Sequence, residues 1–167
     1  MLVALLLFAS IDYGVAFLPA AGDRQFVVVY NAADAAGTHP YKLVLRAFAP
    51  DGTLACEATT IVQPWPQRLT MKRVAWFEAT YSGKAAKVRA GKYLLRTYLT
   101  EQVAFGQAAE DRNLTNNEYP WEPPHYEPVE FAVRDGASAI RCNAMPYPPQ
   151  PENFPPGFTP ASLPARR

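Results

Sequence analysis

The chain has 167 residues, and its sixteen Lys and Arg nearly balance fifteen Asp and Glu, for a formal net charge of +1. The charges are dispersed, so no basic stripe tracks a phosphate backbone, and nucleic acid is excluded as a partner class. The length suits a single packed domain with extensions at both ends.

Residues 1–22, MLVALLLFASIDYGVAFLPAAG, are almost wholly apolar and contain no Lys or Arg. Such a run reads as a membrane anchor or a signal-like segment, although it lacks the basic flank that orients a signal peptide. Asp12 interrupts it, and a carboxylate at a bilayer centre costs about 2.5–3.5 kcal/mol, so a spanning helix needs Asp12 at an interface or against a partner. Gly14-Val15-Ala16 fits a small-x-small cleavage rule. Alternatively, residues 2–8 form a buried first strand or helix of the fold itself.

Residues 23–145 read as short strands punctuated by turns. Residues 25–31 (QFVVVYN) are β-branched and aromatic, and residues 34–40 (DAAGTHP) break the run with Gly37 and Pro40. Residues 41–49 (YKLVLRAFA) enter Pro50-Asp51-Gly52, a turn that predicts a hairpin with residues 53–62 (TLACEATTIV). Pro64-Trp65-Pro66 stops that strand. Residues 69–82 fit neither strict alternation nor a helical stripe, and strand is the assignment made. Residues 90–99 (AGKYLLRTYL) alternate, with Tyr93, Leu95, Thr97 and Leu99 expected inward. Residues 101–128 form a long loop containing Asn113-Leu114-Thr115, a match to the N-glycosylation acceptor pattern that also arises by chance. Residues 129–133, Arg134-Asp135-Gly136 and residues 137–145 predict a final hairpin.

The RAFAPDGTL hairpin together with AGKYLLRTYL resembles the strand pattern of immunoglobulin-like and fibronectin-III-like domains of extracytoplasmic proteins. That resemblance implies an all-β fold, a single antiparallel β-sandwich of about seven strands, with Tyr93 bonding back to the preceding corner. It implies no function by itself.

Cys56 and Cys142 are the only cysteines, each inside an expected strand. In an exported chain they are compatible with one disulfide, and in a reducing compartment with two buried thiols. The two histidines are distant from them and from each other, so no zinc spacing exists. Ser10, Ser82, Ser138 and Ser162 lack a nucleophile-elbow context, and neither His39 nor His125 has a partner at close spacing. Glu118, Glu122, Glu127 and Glu130 surround His125 without the tight loop a calcium site uses. No catalytic, cofactor or metal residue is therefore assigned, and the chain is expected not to be an enzyme.

Twelve of the seventeen prolines fall between Tyr119 and Pro164, interleaved with aromatic residues. Residues 146–167 are expected to run as an extended tail, because proline lacks an amide donor and favours polyproline-like geometry. Tyr119, Trp121 and Tyr126 on the long loop, and Tyr147, Phe154, Phe158 and Leu163 on the tail, are the candidate partner-binding residues. Together these features suggest a non-catalytic accessory or structural subunit of a membrane-associated or cell-surface assembly. It would lie on the periplasmic or extracellular side and dock through residues 1–22 and the tail. Two alternatives stay open: a secreted carbohydrate-binding module using Trp121, with Asn116, Asn117 and Glu122 bonding the sugar, and a fibre subunit whose apolar end completes the next copy's sheet.

Overall fold

The structure is a computed structural model that describes residues 11–33, 35–83, 86–119, 129–146 and 149–158. Among the described residues ten strands follow in chain order: β1 (Tyr13–Phe17), β2 (Arg24–Asn31), β3 (Tyr41–Phe48), β4 (Leu54–Val62), β5 (Thr70–Thr80), β6 (Gly91–Glu101), β7 (Glu118–Tyr119), β8 (Val129–Val133), β9 (Ala139–Ala144) and β10 (Glu152–Asn153). A 3-10 turn, Leu114–Asn116, precedes β7. All pairings between these strands are antiparallel, and they make two sheets packed as a sandwich. One sheet runs β1-β2-β5, with β9 and β10 sharing the far side of β5; the other runs β4-β3-β6, with β8 and β7 sharing the far side of β6. No helix among the described residues is long and apolar enough to cross a membrane.

The expected strands form for the reasons their sequences give. In β6 the alternation places Tyr93, Leu95, Thr97 and Leu99 inward and buried. The Tyr93 hydroxyl donates to the Arg89 carbonyl at 2.8 Å, tying the strand to the corner before it. At the β3–β4 hairpin the Asp51 carboxylate accepts from the Thr53 N–H at 3.0 Å and the Thr53 hydroxyl at 2.7 Å. Gly52 there has φ +83°, a conformation that glycine adopts without steric cost.

Within the apolar run at 1–22, Tyr13–Phe17 is an edge strand paired along its length with β2, while residues 1–10 lie outside the described residues. Tyr13 and Val15 face the core between the sheets, and Ala16 lies buried on the other face. Burial on both faces makes a strand read as a continuous apolar run, which is how β1 resembles a leader. Residues 129–145 are no hairpin: β8 pairs with β6 and β9 with β5, so the turn at 134–136 carries the chain from one sheet to the other. In the expected loop at 101–128, Glu101 is the last residue of β6 and Glu118–Tyr119 pair back onto β6 as β7, while residues 120–128 lie outside the described residues.

The failed periodicity of residues 69–82 also has a cause. Ala75 opposes Val27 and Arg73 opposes Val28, so Val74 is an extra residue bulged out of the ladder. Beyond the bulge the facing pattern slips by one. Met71 then lies in a second apolar cluster on the outer face of this sheet, with Ala16, Leu18, Val28, Tyr30 and Ala32.

That outer cluster is roofed by the chain's own tail. Residues Glu152 and Asn153 pair with Met71 and Thr70, and Phe154 and Phe158 pack over the cluster. Phe154 meets Tyr30 edge-on at 6.3 Å between ring centroids and Phe158 at 5.8 Å. Beneath, the Tyr30 ring lies over Gly14, where a Cβ would come within 2.4 Å of the tyrosine ring. The opposite outer face is partly covered by its own side chains, with Arg46 over the Tyr98 ring at 5.4 Å and paired to Glu57 at 2.5 Å.

The two sheets are joined covalently. Cys56 on β4 and Cys142 on β9 form a disulfide between lanes that share no backbone pairing, with Cα atoms 5.7 Å apart. Closing a loop of this length restricts the unfolded chain by roughly 4–5 kcal/mol in the chain-entropy treatment. Reduction is expected to lower unfolding free energy by about 2–5 kcal/mol in denaturant titrations, and an unchanged midpoint would show the bridge to be dispensable. Phe154→Ala is expected to cost about 1–3 kcal/mol by the same measurement and to increase binding of an apolar-surface dye; no change in either would remove the roofing role.

Candidate functional site

The densest grouping of polar side chains sits at one end of the sandwich, where residues 102–117 cross from the end of β6 to β7. Asp111 is only 2% exposed. Its carboxylate accepts from the Tyr13 N–H at 3.2 Å, the Asn113 N–H at 3.1 Å and the Tyr41 hydroxyl at 3.4 Å. Beside it, the Asp12 carboxylate accepts from the side-chain amides of Asn113 at 3.2 Å and Asn116 at 2.6 Å. Asp12, the residue that breaks the apolar N-terminal run, is thus the anchor of the crossing segment. The same bonds occupy the Asn113 side chain, whose amide oxygen also accepts from the Thr115 hydroxyl at 2.6 Å.

At the rim of this end, His39 meets two carboxylates that lie 62 and 71 positions further along the chain. Its Nδ1 is 2.7 Å from Glu101 and 3.9 Å from Glu110, and its Nε2 is 3.1 Å from the Gln107 side-chain oxygen. Glu101 also accepts the N–H groups of Glu110 and Asp111, at 3.0 and 3.1 Å. Glu110 accepts the Thr38 N–H at 2.6 Å and the Thr38 hydroxyl at 3.0 Å. Among the described residues, His39, Glu101 and Glu110 are the grouping whose atoms come close enough together to share a cation. Their bonds to Thr38 and to the backbone at 110 and 111 make them a latch that fastens residues 38–39 to residues 101–111.

Burial and pairing set the charges here. Desolvation pushes the Asp111 carboxyl up to about 6, well above the ordinary aspartate range. The bond to Glu101 raises His39, with the neighbouring carboxylate charges adding to it. The Thr38 N–H holds Glu110 below its usual value. Burial lifts the Tyr13 phenol to about 12 and Tyr41 further still.

A second polar knot lies just inside. The Tyr13 hydroxyl donates to the Trp65 carbonyl at 2.5 Å and accepts the Trp65 N–H at 2.8 Å. The Asn31 amide donates to the same carbonyl at 2.6 Å, and the Trp65 indole donates to Thr70 at 2.8 Å. Trp65, flanked by prolines, is therefore a core residue, packed edge-on against Tyr13 at 5.0 Å.

Phe154 and Phe158 lie on the chain's own outer face, far in sequence from the latch, and Tyr119 is on β7 opposite Thr97. Trp121, Tyr126, Tyr147 and Leu163 lie outside the described residues, as do Glu122, Glu127 and His125. Cys56 and Cys142 are bonded. Local spacing offered no sign of the His39, Glu101 and Glu110 grouping, because its members meet only through β3 and β6 lying side by side.

The arrangement defines a disulfide-stapled β-sandwich whose polar end is closed by reciprocal hydrogen bonds. No protein-family model, curated protein or solved structure matches the chain.

The three titrating groups give the fold a signed pH dependence. Asp111 binds its proton more tightly folded than unfolded, so its contribution is greatest below the ordinary aspartate range and declines as pH rises through about 6. His39, also raised, stabilises fully below the ordinary histidine value and less as pH climbs through its folded value. Glu110, lowered, stabilises above the ordinary glutamate value and loses that on acidification. Thermal midpoints are expected to be highest at about pH 4 to 4.5, near the ordinary aspartate and glutamate values, and to fall from there towards pH 8, with His39→Gln flattening the decline above about pH 6. A midpoint rising steadily from pH 5 to 8 would contradict the assignment.

Proposed function

We propose that the chain is a non-catalytic accessory subunit of a membrane-associated or cell-surface assembly, working on the extracytoplasmic side and holding its partner through a sheet edge. The observation that carries this reading is the outer edge of β4. This nine-residue strand pairs with β3 on one side and with no strand on the other among the described residues. It contains no Lys or Pro, the residues that usually protect such edges, and its bulge is confined to Ala55 near the start. Leu54 and Ile61 stand out from it, 53% and 55% exposed. An edge of this kind recognises an extended segment by main-chain hydrogen bonds.

Two further features support the setting. An inter-sheet disulfide suits an oxidising compartment. The strand order supports the immunoglobulin-like resemblance, since the first, second and fifth strands share one sheet, as A, B and E do, and the third, sixth and eighth share the other, as C, F and G do. The departure is β4, which joins β3 while β9 takes the place beside β5. Docking by the tail is narrowed by the roof, because Phe154 and Phe158 are engaged on the chain's own sheet.

Mild-detergent extraction of membranes followed by native pull-down and intact-mass analysis tests the proposal. Stoichiometric membrane or surface subunits are expected to return with the chain, whereas a chain recovered alone in the soluble fraction would overturn it.

A further inference from the structure

We propose that the groove between β4 and the segment after β9 docks an extended segment of another protein, which lays its main chain along β4 and seats one carboxylate on Lys72. The inference rests on the edge-docking reading above and names the chemistry of what docks.

Lys72 is the anomaly that points there. It lies on the core-facing side of β5, only 9% exposed, whereas its neighbours Met71 and Arg73 belong to the outer face. Its ammonium sits 4.5 Å from the Trp65 ring centroid. Arg24, Arg46, Arg73, Lys92 and Arg134 at the surface each have a carboxylate within ion-pair distance. Lys72 has none among the described residues, and desolvation lowers its affinity for a proton. A charge withdrawn from water without a counter-ion is costly, and a ring face compensates only part of that. An incoming carboxylate would complete the site.

The surroundings fit a peptide better than a small acid. Lys72 lines a groove of about 380 Å³, with Thr60 and Gln63 on the β4 side and Met145, Pro146 and Pro149 facing them. On the facing wall Pro146 and Pro149 have no N–H to offer the strand edge, and the Met145 N–H is already given to the Val74 carbonyl at 2.9 Å. The main-chain donors and acceptors along residues 60–63 that are not used in the ladder with β3 point away from it and are open to an added strand, whose alternate side chains would point into the groove. Thr60 and Val62 face inward beside Lys72, so the preferred segment carries one Asp or Glu flanked by β-branched or apolar residues.

Panning a random library of displayed nine-residue peptides on the full chain, with counter-selection on Lys72→Met, tests this. Recovered peptides are expected to share an acidic position. In fluorescence anisotropy they should bind the unchanged chain at least tenfold more tightly than their Gln or Asn counterparts, and bound peptide should slow amide exchange at residues 60–63. The comparison between acidic and amide peptides uses the unchanged chain, so it stands whether or not Lys72→Met folds. No enriched peptide, equal binding of the amide counterparts, or saturation by sodium hexanoate alone would overturn the proposal. So would concentration-dependent dimers that protect the same amides, since the occupant would then be a second copy. Failure of the pull-down with success here would instead remove the assembly reading and leave the groove.

Discussion

The hydroxyl of Tyr13 is where three parts of this chain meet. It holds both backbone polar groups of Trp65, while the Tyr13 backbone N–H is bound by Asp111. One residue of an edge strand thus fixes the link between β4 and β5 and the crossing segment after β6. Each of those backbone groups is buried, and a buried donor or acceptor without a partner costs about 1–3 kcal/mol, so the three parts are ordered together or not at all. The latch of His39, Glu101 and Glu110 then closes the rim over an end already fixed from within.

Much of the architecture was legible because the main strands obey simple rules. The predicted segment at 41–49, its turn at 50–52 and the strand at 53–62 correspond to β3, its hairpin and β4. In β6 the period-2 pattern identifies the inward residues individually. The pattern fails where both faces of a strand are covered. β1 is buried by the core on one side and by the Tyr30 cluster on the other, and β5 is interrupted by Val74. A sequence window sees hydrophobicity without seeing which face a residue serves, and neither a covered outer face nor a bulge has a local signature.

The polar end was illegible for a different reason. His39, Glu101, Glu110 and Asp111 are brought together by the pairing of β3 with β6, in which Tyr41 opposes Glu101. Only that register carries the histidine before Tyr41 to the glutamate at the far end of β6. Asp12 shows the same effect more sharply: in a leader-like run it reads as an interruption, and in the fold its charge is what the Asn113 and Asn116 amides require. Lys72 reverses the lesson. Its place in sequence is unremarkable beside Arg73, and only the bulge at Val74 and the nearness of Trp65 reveal it as a cation facing inward.

The bridge between Cys56 and Cys142 has a mechanical meaning as well. It joins the two sheets between outer lanes, and the 86 positions separating the cysteines hold β5 to β8 complete. A pull applied to the chain ends is carried through the sulfur atoms rather than through these strands. About 300 Å of contour is thereby withheld from extension while the bond lasts. Under load the chain would yield β1, β2, β3 and the tail roof and then stop, a tether with a fixed maximum length and its central strands kept out of the line of force.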